Sequence, residues 1–467
     1  MNIEQFENYF FIGIAGTGMS AIAQYLQGIG KKVSGSDRLF NQQHKMQIQE
    51  QFEKQGIRCF FQDGSGISTA TQVVIVSTAI EESNVEYRKA AEMGIPVMKR
   101  SELLAALSSS RRTIAVGGTS GKSTTTAMIF HILQECGYSP SLITGAGLTA
   151  LQQEGLPGNT WVGKSDWLVI EADESDGSII NYFPEISVVL NVDRDHKETG
   201  ELMLLFSTFR EHTHGRFIVN HDHDLIKTLS QEVAGDFGTI QGAGYVGKDF
   251  AQDGFQIFFT INEVPFKIPV IGKFNMENAL AATAVSGAIG ISIEDSAKAL
   301  ESYSGIYRRM QLVGNKNGVY VIDDFAHNPA EVAAAIRACR QIGKRVIAWF
   351  QPHGFGPLRF MHQELAISVS EVLRETDCFI MSDVYYAGGT VDKDIGSEVV
   401  ITEITRHNKN ALLVGDRTNL PAVLKDMVQQ GDIILLMGAR DPSLSEFAMT
   451  VLENLYVNDN EVQNLSL

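Results

Sequence analysis

Cysteine is scarce: four scattered residues in 467, Cys59, Cys136, Cys339 and Cys378, with no CxxC spacing, in a chain far too large to need a disulfide scaffold. A reduced, cytoplasmic setting is expected. Positive charge is also short, 38 Lys and Arg against 55 Asp and Glu for a net charge of -17. That balance argues against a nucleic-acid groove or an anionic membrane surface and confines phosphate binding to a local site. No apolar run approaches the roughly 20 residues that span a bilayer, so no membrane insertion is expected. The opening "MNIEQFENYFFIGIAG" is acidic where a secretion signal is basic and lacks a small-residue cleavage site; it reads as a first strand.

What the chain has in plenty is a repeated unit. Apolar or β-branched runs ending in Gly or Asp recur, each followed by a helical pattern: "YFFIGIAG", "VVIVST", "TIAVGG", "WLVIEAD", "ISVVLNVD", "VYVIDD", "RVIAWF", "CFIMSD", "ALLVGD" and "DIILLMG". This alternation predicts an α/β fold with parallel sheets. It restarts three times, with breaks at 107–112 and 301–309, predicting three domains: 1–108 and 305–467, both Rossmann-like, and a central P-loop ATPase-like domain, 109–304. Residues 236–270 alternate apolar and polar with turn glycines, which predicts a small antiparallel insert.

In "FIGIAGTGMSAIAQYLQGIGKKVSGSD" a strand turns on Gly16 and Gly18 into a helix, and Asp37 ends the next strand. Such a loop brings backbone to a pyrophosphate at a helix N-terminus, with an acid placed for a ribose hydroxyl. The same glycines also serve a plain packing turn, and the loop does not separate NAD from another nucleotide diphosphate.

"VGGTSGKSTTTAM" follows the strand "TIAV" and opens a helix, the setting of a phosphate loop. Gly117, Gly118 and Gly121 free backbone N–H groups for oxygens, Lys122 can bridge terminal phosphates, and Ser123 can ligate Mg²⁺. Val116 stands where the strict pattern has Gly. Two later strand ends offer partners: Glu171 and Asp173 in "WLVIEADESDGS", Asp195 and His196 in "ISVVLNVDRDHKE". Carboxyl ends of parallel strands line the ligand crevice, and Glu171 suits a cation that prefers oxygen. "HDHD" at 221–224 has the composition of a metal cluster but reads better as a helix cap. Asn275 and Asn278, three apart, share one helix face and suit an adenine edge or a cap. Arg308 and Arg309 in "YRRMQ" are either a solvated pair or a source of charge for a transferring phosphoryl group. "VIDDFAHNPAEV" ends a strand with two acids and then His327.

In this order the pieces resemble the Mur ligases, ATP-dependent amide-forming enzymes of peptidoglycan precursor synthesis, over nearly the whole chain. "GIAGTGMSAIA", "VSGSD", "VVIVSTAIEESNVEY" and "GIPVMKRSELLAAL" look most like the branch joining L-alanine to UDP-N-acetylmuramate; the branch that attaches a tripeptide to the same sugar nucleotide is similar. The resemblance implies that the first domain holds UDP, the second ATP and the third the incoming amino acid or short peptide. It places UDP-sugar at Gly16, Thr17, Gly18, Met19 and Ser20, with Asp37 and Ser77. It assigns ATP to Gly118, Thr119, Ser120, Gly121, Lys122, Ser123 and Thr124, with Asn275, Asn278, Arg309, Asp323 and Asp324. Mg²⁺ falls to Ser123, Glu171 and His196, and the chemistry to Lys122, Glu171, His196, Arg309 and His327. "ELMLLFSTFREHTHGRF" lacks the lysine that many Mur ligases carbamylate, as the alanine branch does.

There are departures. Ser120 to Ser123 replace the usual His-Gly-Lys-Thr, Asn328 stands at a usual histidine, Gly354 replaces the arginine of "FQPHR", and "MGARDPSL" replaces "GAGDI". An arginine is the natural clamp for an amino-acid carboxylate, and Arg359 is a possible substitute. The rivals to an alanine ligase are a tripeptide ligase, a nucleotide-binding paralogue without activity, and a nicotinamide dehydrogenase that leaves "GTSGKSTTT" idle. Monomer and homodimer both stay open.

Overall fold

The structure, a computed structural model, describes residues 3–41, 45–192, 199–386 and 392–455. His196 lies outside the described residues. The chain packs as two compact units, one of Met1–Phe250, Phe258–Ile268 and Met276–Tyr307, the other of Ala251–Ile257, Pro269–Asn275 and Arg308–Leu467.

The first unit contains two large sheets. One orders the strands Arg58–Phe61, Lys32–Asp37, Asn8–Ile12, Val73–Val76 and Val97–Lys99, all parallel. The other orders Arg216–Val219, Ile186–Val189, Arg112–Gly117, Trp167–Glu171, Ser141–Ile143 and Thr160–Trp161, parallel but for the last pair. Their central strands are buried along nearly their whole length, because helices cover both faces and uninterrupted apolar runs are what such strands require. A single core joins the two layers across the 107–112 break, from Phe11, Ile22 and Tyr25 to Ile143, Ile170, Phe206 and Phe209. Polar contacts also cross it. Asn159 donates from Nδ2 to Thr17 O at 2.9 Å and to Ser20 Oγ at 2.8 Å, and its Oδ1 accepts from Gln24 Nε2 at 3.0 Å.

The second unit holds the sheet Gln311–Lys316, Val319–Asp324, Asp432–Gly438, Arg345–Gln351, Cys378–Met381 and Ala411–Leu413, with the first pair antiparallel and the rest parallel. Asp432–Gly438 is buried at every residue, as a strand flanked on both sides and covered on both faces must be. The α/β architecture expected from the repeated strand and helix pattern is present.

The expected insert is a four-stranded sheet of Phe237–Gly238, Tyr245–Asp253, Gln256–Ile261 and Val264–Ile268. Its first pair is parallel, not antiparallel. Asp222 accounts for the difference: its carboxylate accepts the N–H groups of Thr239 and Ile240 and the Thr239 hydroxyl, anchoring the connector that brings the chain back in the same direction. The helix expected after "HDHD" is only a short 3₁₀ turn, Ile226–Leu229. Local hydroxyl bonding competes with the helix there, Thr228 Oγ1 donating to Leu225 O at 2.6 Å. No helix among the described residues is long and apolar enough to cross a membrane.

Candidate active site

The strand Arg112–Gly117 delivers the phosphate loop, and glycines give it its shape. Gly118 has φ +133°, and a Cβ there would stand 3.1 Å from both the Cβ and the N of Leu190; Gly121, φ +85°, starts the helix Lys122–Glu135. Side chains would be strained at both positions. A Cβ on Gly121 would also lie 2.6 Å from Asn278 Oδ1, which accepts the Thr125 hydroxyl at 3.2 Å. Asn278 therefore packs on the loop. Asn275 is buried at the start of the same helix, Lys273–Ile289, where its Nδ2 donates to Ile271 O at 2.8 Å.

Lys122 folds back over this loop. Its Nζ donates to Gly118 O at 2.7 Å, Thr119 O at 3.3 Å and Glu174 Oε2 at 2.8 Å. Burial pulls its pKa down, but Glu174, Glu171 and Asp173 outweigh burial and hold the ammonium above the usual lysine value. At the second residue of the helix, Ser123 Oγ donates to Glu171 Oε2 at 2.8 Å, and the same oxygen receives Gly145 N–H at 2.9 Å and Thr144 Oγ1 at 3.2 Å. The structure thus brings Ser123 and Glu171 together beside Lys122. A hydroxyl and a carboxylate form an all-oxygen donor set, which fits Mg²⁺. Among the described residues no group of three or more His, Cys, Asp or Glu gathers as a metal site.

In the N-terminal sheet, Asp37 is spent on the chain itself: its carboxylate accepts the N–H groups of Ala15 and Leu39, each at 3.0 Å. It thereby fixes the glycine loop. Gly16 and Thr17 are exposed and Gly18 is half-buried, whereas Met19 and Ser20 are buried and face inward. Ser20 N–H donates to Gly16 O at 2.8 Å and its Oγ to Thr17 O at 2.9 Å. Arg100 lies over Gly18, where a Cβ would stand 3.0 Å from Nη1, and pairs with Asp176 at 3.4 Å. Ser77 follows the strand Val73–Val76, and its carbonyl accepts Ile80 N–H at 3.2 Å.

Within the second unit, Asp323 pairs with Arg308 Nε at 3.0 Å, and Arg308 Nη2 donates to Gly438 O at 2.6 Å. Asp324 accepts Met310 N–H at 2.7 Å and Ala326 N–H at 2.8 Å, and burial pushes its pKa up to about 6. Both acids serve their own unit. Arg309 lies over the Phe325 ring at 4.9 Å. His327 Nδ1 stands 3.1 Å from Glu331 Oε2, and its ring lies 5.6 Å from that of His353. Asn328 caps the helix Pro329–Cys339, its Oδ1 accepting Glu331 N–H at 2.9 Å. Gly354, φ +79°, caps the helix Phe355–Val372 in a conformation that disfavours arginine. Arg359 pairs with Asp394.

Three family models match along the chain: Mur ligase family, catalytic domain, over residues 8–112; Mur ligase middle domain over 116–286; and Mur ligase, glutamate ligase domain, over 308–440. A UDP-N-acetylmuramate–L-alanine ligase of Streptomyces avermitilis is 34% identical, covering 95% of this chain and 97% of its own; one of Rhizobium etli is 33% identical, covering 92% and 93%. The chain belongs to the Mur ligase family. It is an ATP-dependent amide ligase. Among solved structures, this Mur ligase is similar in fold to a UDP-N-acetylmuramate–alanine ligase of Thermotoga maritima (TM-score 0.79, 23% identity, 96% of this chain and 98% of that one). It also shares its fold with a murein peptide ligase of Psychrobacter arcticus (TM-score 0.67, 20% identity, 97% and 100% covered).

Reading the sequence missed four residues of this Mur ligase: Arg100, Asn159, Glu174 and Asn191. Asn191 carried a usable signal, a polar residue directly after the buried strand end "ISVVL" at the ligand edge of a parallel sheet. Glu174 stood in the open, but Glu171 drew the role. Asn159 sits in a glycine and proline turn with no such mark.

Proposed function

We infer that this chain joins the lactyl carboxylate of UDP-N-acetylmuramate to the amine of L-alanine, converting ATP to ADP and phosphate. Curated relatives of that activity, 32–34% identical along nearly the full chain, support the reading. The observation that carries it is the Ser123–Glu171 contact at 2.8 Å beside Lys122, a constellation suited to phosphoryl transfer.

A carboxylate oxygen is a poor leaving group, so the sugar-borne carboxylate is first converted to an acyl phosphate, which the amine then attacks. Lys122 offsets charge on the phosphoryl oxygens, and Arg309 adds to this. Ser123 and Glu171, with His196, would hold Mg²⁺, which supplies Lewis acidity and orients the phosphates. The loop Gly118–Thr124, with Asn275 and Asn278, would hold ATP, and Asp323 and Asp324 would support its ribose through Arg308 and the 308–310 backbone. Gly16, Thr17 and Gly18, with Met19 and Ser20, would take the UDP diphosphate, Asp37 keeping that loop in shape and Ser77 lying at the next strand end. His327, held by Glu331, would orient or deprotonate the amine. The work belongs in the cytoplasm, where ATP and sugar nucleotides are at hand.

A second reading, ligation of a tripeptide, is favoured by one observation. The second unit contains a cleft of about 590 Å³ lined by Gln351, Asp383, Tyr385, Tyr386, Arg417 and Asp441, roomier than an alanine side chain needs. The test is to incubate the protein with ATP, Mg²⁺ and UDP-N-acetylmuramate, offer L-alanine, other amino acids and the tripeptide separately, and weigh the products by mass spectrometry. An L-alanine adduct is expected. Product with the tripeptide alone transfers the assignment to the second reading, and no product with any acceptor removes the ligase reading.

A further inference from the structure

We propose that Glu174 is a positioning residue that withholds Lys122 from phosphate until the sugar-nucleotide side of the same unit is engaged, with Asp176 and Arg100 as the link. The inference rests on the ligase reading above. An ammonium has three donors, and those of Lys122 already have Gly118 O, Thr119 O and Glu174 Oε2 as acceptors. A phosphate oxygen is accepted only when one of them is given up. Glu174 is the charged one, 2.8 Å away and 5% exposed, so it both competes for the ammonium and repels an arriving phosphate.

Glu174 belongs to a tightly tied turn. Ser175 N–H donates to Asp173 Oδ1 at 3.0 Å, Gly177 N–H to Glu174 O at 3.0 Å and Ser178 N–H to Asp176 Oδ1 at 2.9 Å, with Gly177 at φ +74°. Movement at one end is therefore felt at the other. At the far end Asp176 meets Arg100 at 3.4 Å, a long pairing, and Arg100 covers Gly18 of the glycine loop. A diphosphate or carboxylate at Gly18 competes with Asp176 for that guanidinium, whose planar fork pairs with two phosphate or carboxylate oxygens at once. Drawing Arg100 away leaves the 173–178 turn free to shift and Glu174 to release Lys122.

The experiment titrates the nonhydrolysable ATP analogue AMP-PNP with Mg²⁺ into the wild type, E174Q, R100A, R100K and D176N, each without and with saturating UDP-N-acetylmuramate. The wild type is expected to bind the analogue about 10-fold tighter when the sugar nucleotide is present, E174Q to bind tightly without it, and R100A and D176N to bring that ratio near one, while R100K keeps most of it. Thermal melts identify any variant that fails to fold, and D176N, which preserves size, then stands in for R100A. E174Q binding no tighter than the wild type, or R100A and D176N keeping the wild-type ratio, overturns the proposal. If the wild type forms no amide product, the ligase reading falls, and the E174Q comparison without sugar nucleotide still decides whether Glu174 competes for Lys122.

Discussion

Asn191 grips one residue of the phosphate loop from both sides: its Oδ1 accepts Ser120 N–H at 2.8 Å and its Nδ2 donates to Ser120 O at 3.0 Å. Its own carbonyl accepts Thr119 N–H at 3.2 Å, so a single residue just beyond the strand Ile186–Val189 fixes the loop. Asn191→Ala removes both side-chain bonds at a cost of about 1 to 2 kcal/mol. Because that cost falls on the loop, KM for ATP is expected to rise about 10-fold with a smaller change in kcat. Steady-state kinetics check this, and a pure kcat defect would contradict it.

Ser123 and Glu171 share one contact and are expected to share one phenotype. Ser123→Ala leaves the loop backbone in place but removes a hydroxyl proposed to face Mg²⁺, so half-maximal activity should need several-fold more Mg²⁺. Glu171→Gln removes the charge and should lower kcat about 100-fold or more. A Mg²⁺ titration of both variants tests this, and chelation with EDTA should abolish turnover in the wild type. A Mg²⁺ requirement unchanged in Ser123→Ala would remove Ser123 from the metal's partners.

Much of the fold and part of the site could be read from the chain. Strands such as "WLVIE" and "DIILLMG" were legible because burial on both faces demands continuous apolar runs, and the meeting of Lys122, Ser123 and Glu171 in space because phosphate loops and strand ends have fixed places in α/β sheets. The parallel pair Phe237–Gly238 and Tyr245–Asp253 was not, since two residues carry too little pattern and Asp222 decides the connector from a distance. Asp37 and Asp323 show the other limit. Sequence spacing marks an acid at a strand end but does not show that Asp37 also accepts the Ala15 N–H or that Asp323 also pairs with Arg308.

Glu86 gives the N-terminal sheet a pH dependence of its own. It is fully buried, accepts a hydrogen bond from Ser36 Oγ, and has no partner for Oε1 among the described residues; burial pushes its pKa up to about 7. With the unfolded value near 4.5, the native state keeps a proton that the unfolded state loses between pH 4.5 and 7, so stability contributed by this group declines as pH rises through that window. Glu86→Gln keeps the acceptor and removes the charge. It is expected to flatten the decline and to be more stable than the wild type at pH 8 by about 1 to 2 kcal/mol, with little difference at pH 4.5. Urea unfolding at the two pH values measures the difference, and equal stabilities at pH 8 would contradict the assignment.

His327 is a histidine whose charge is set by its neighbours. Burial lowers its pKa, but Glu331, 3.1 Å from Nδ1, outweighs burial and Arg309 and holds it above the usual imidazole value. Its contribution to stability is therefore present below the unfolded value and is lost as pH rises through the folded one. Glu331→Gln retains the size of the side chain and its place behind Asn328 while removing the charge, so burial should prevail and the imidazole should titrate below its usual range. An NMR titration of the His327 ring reads that shift directly, and an unchanged midpoint would show that Glu331 is not what holds the proton. If a neutral His327 takes a proton from the amine, the acid limb of the kcat profile moves to lower pH together with the NMR midpoint; if His327 only orients the amine, the midpoint moves and the limb stays.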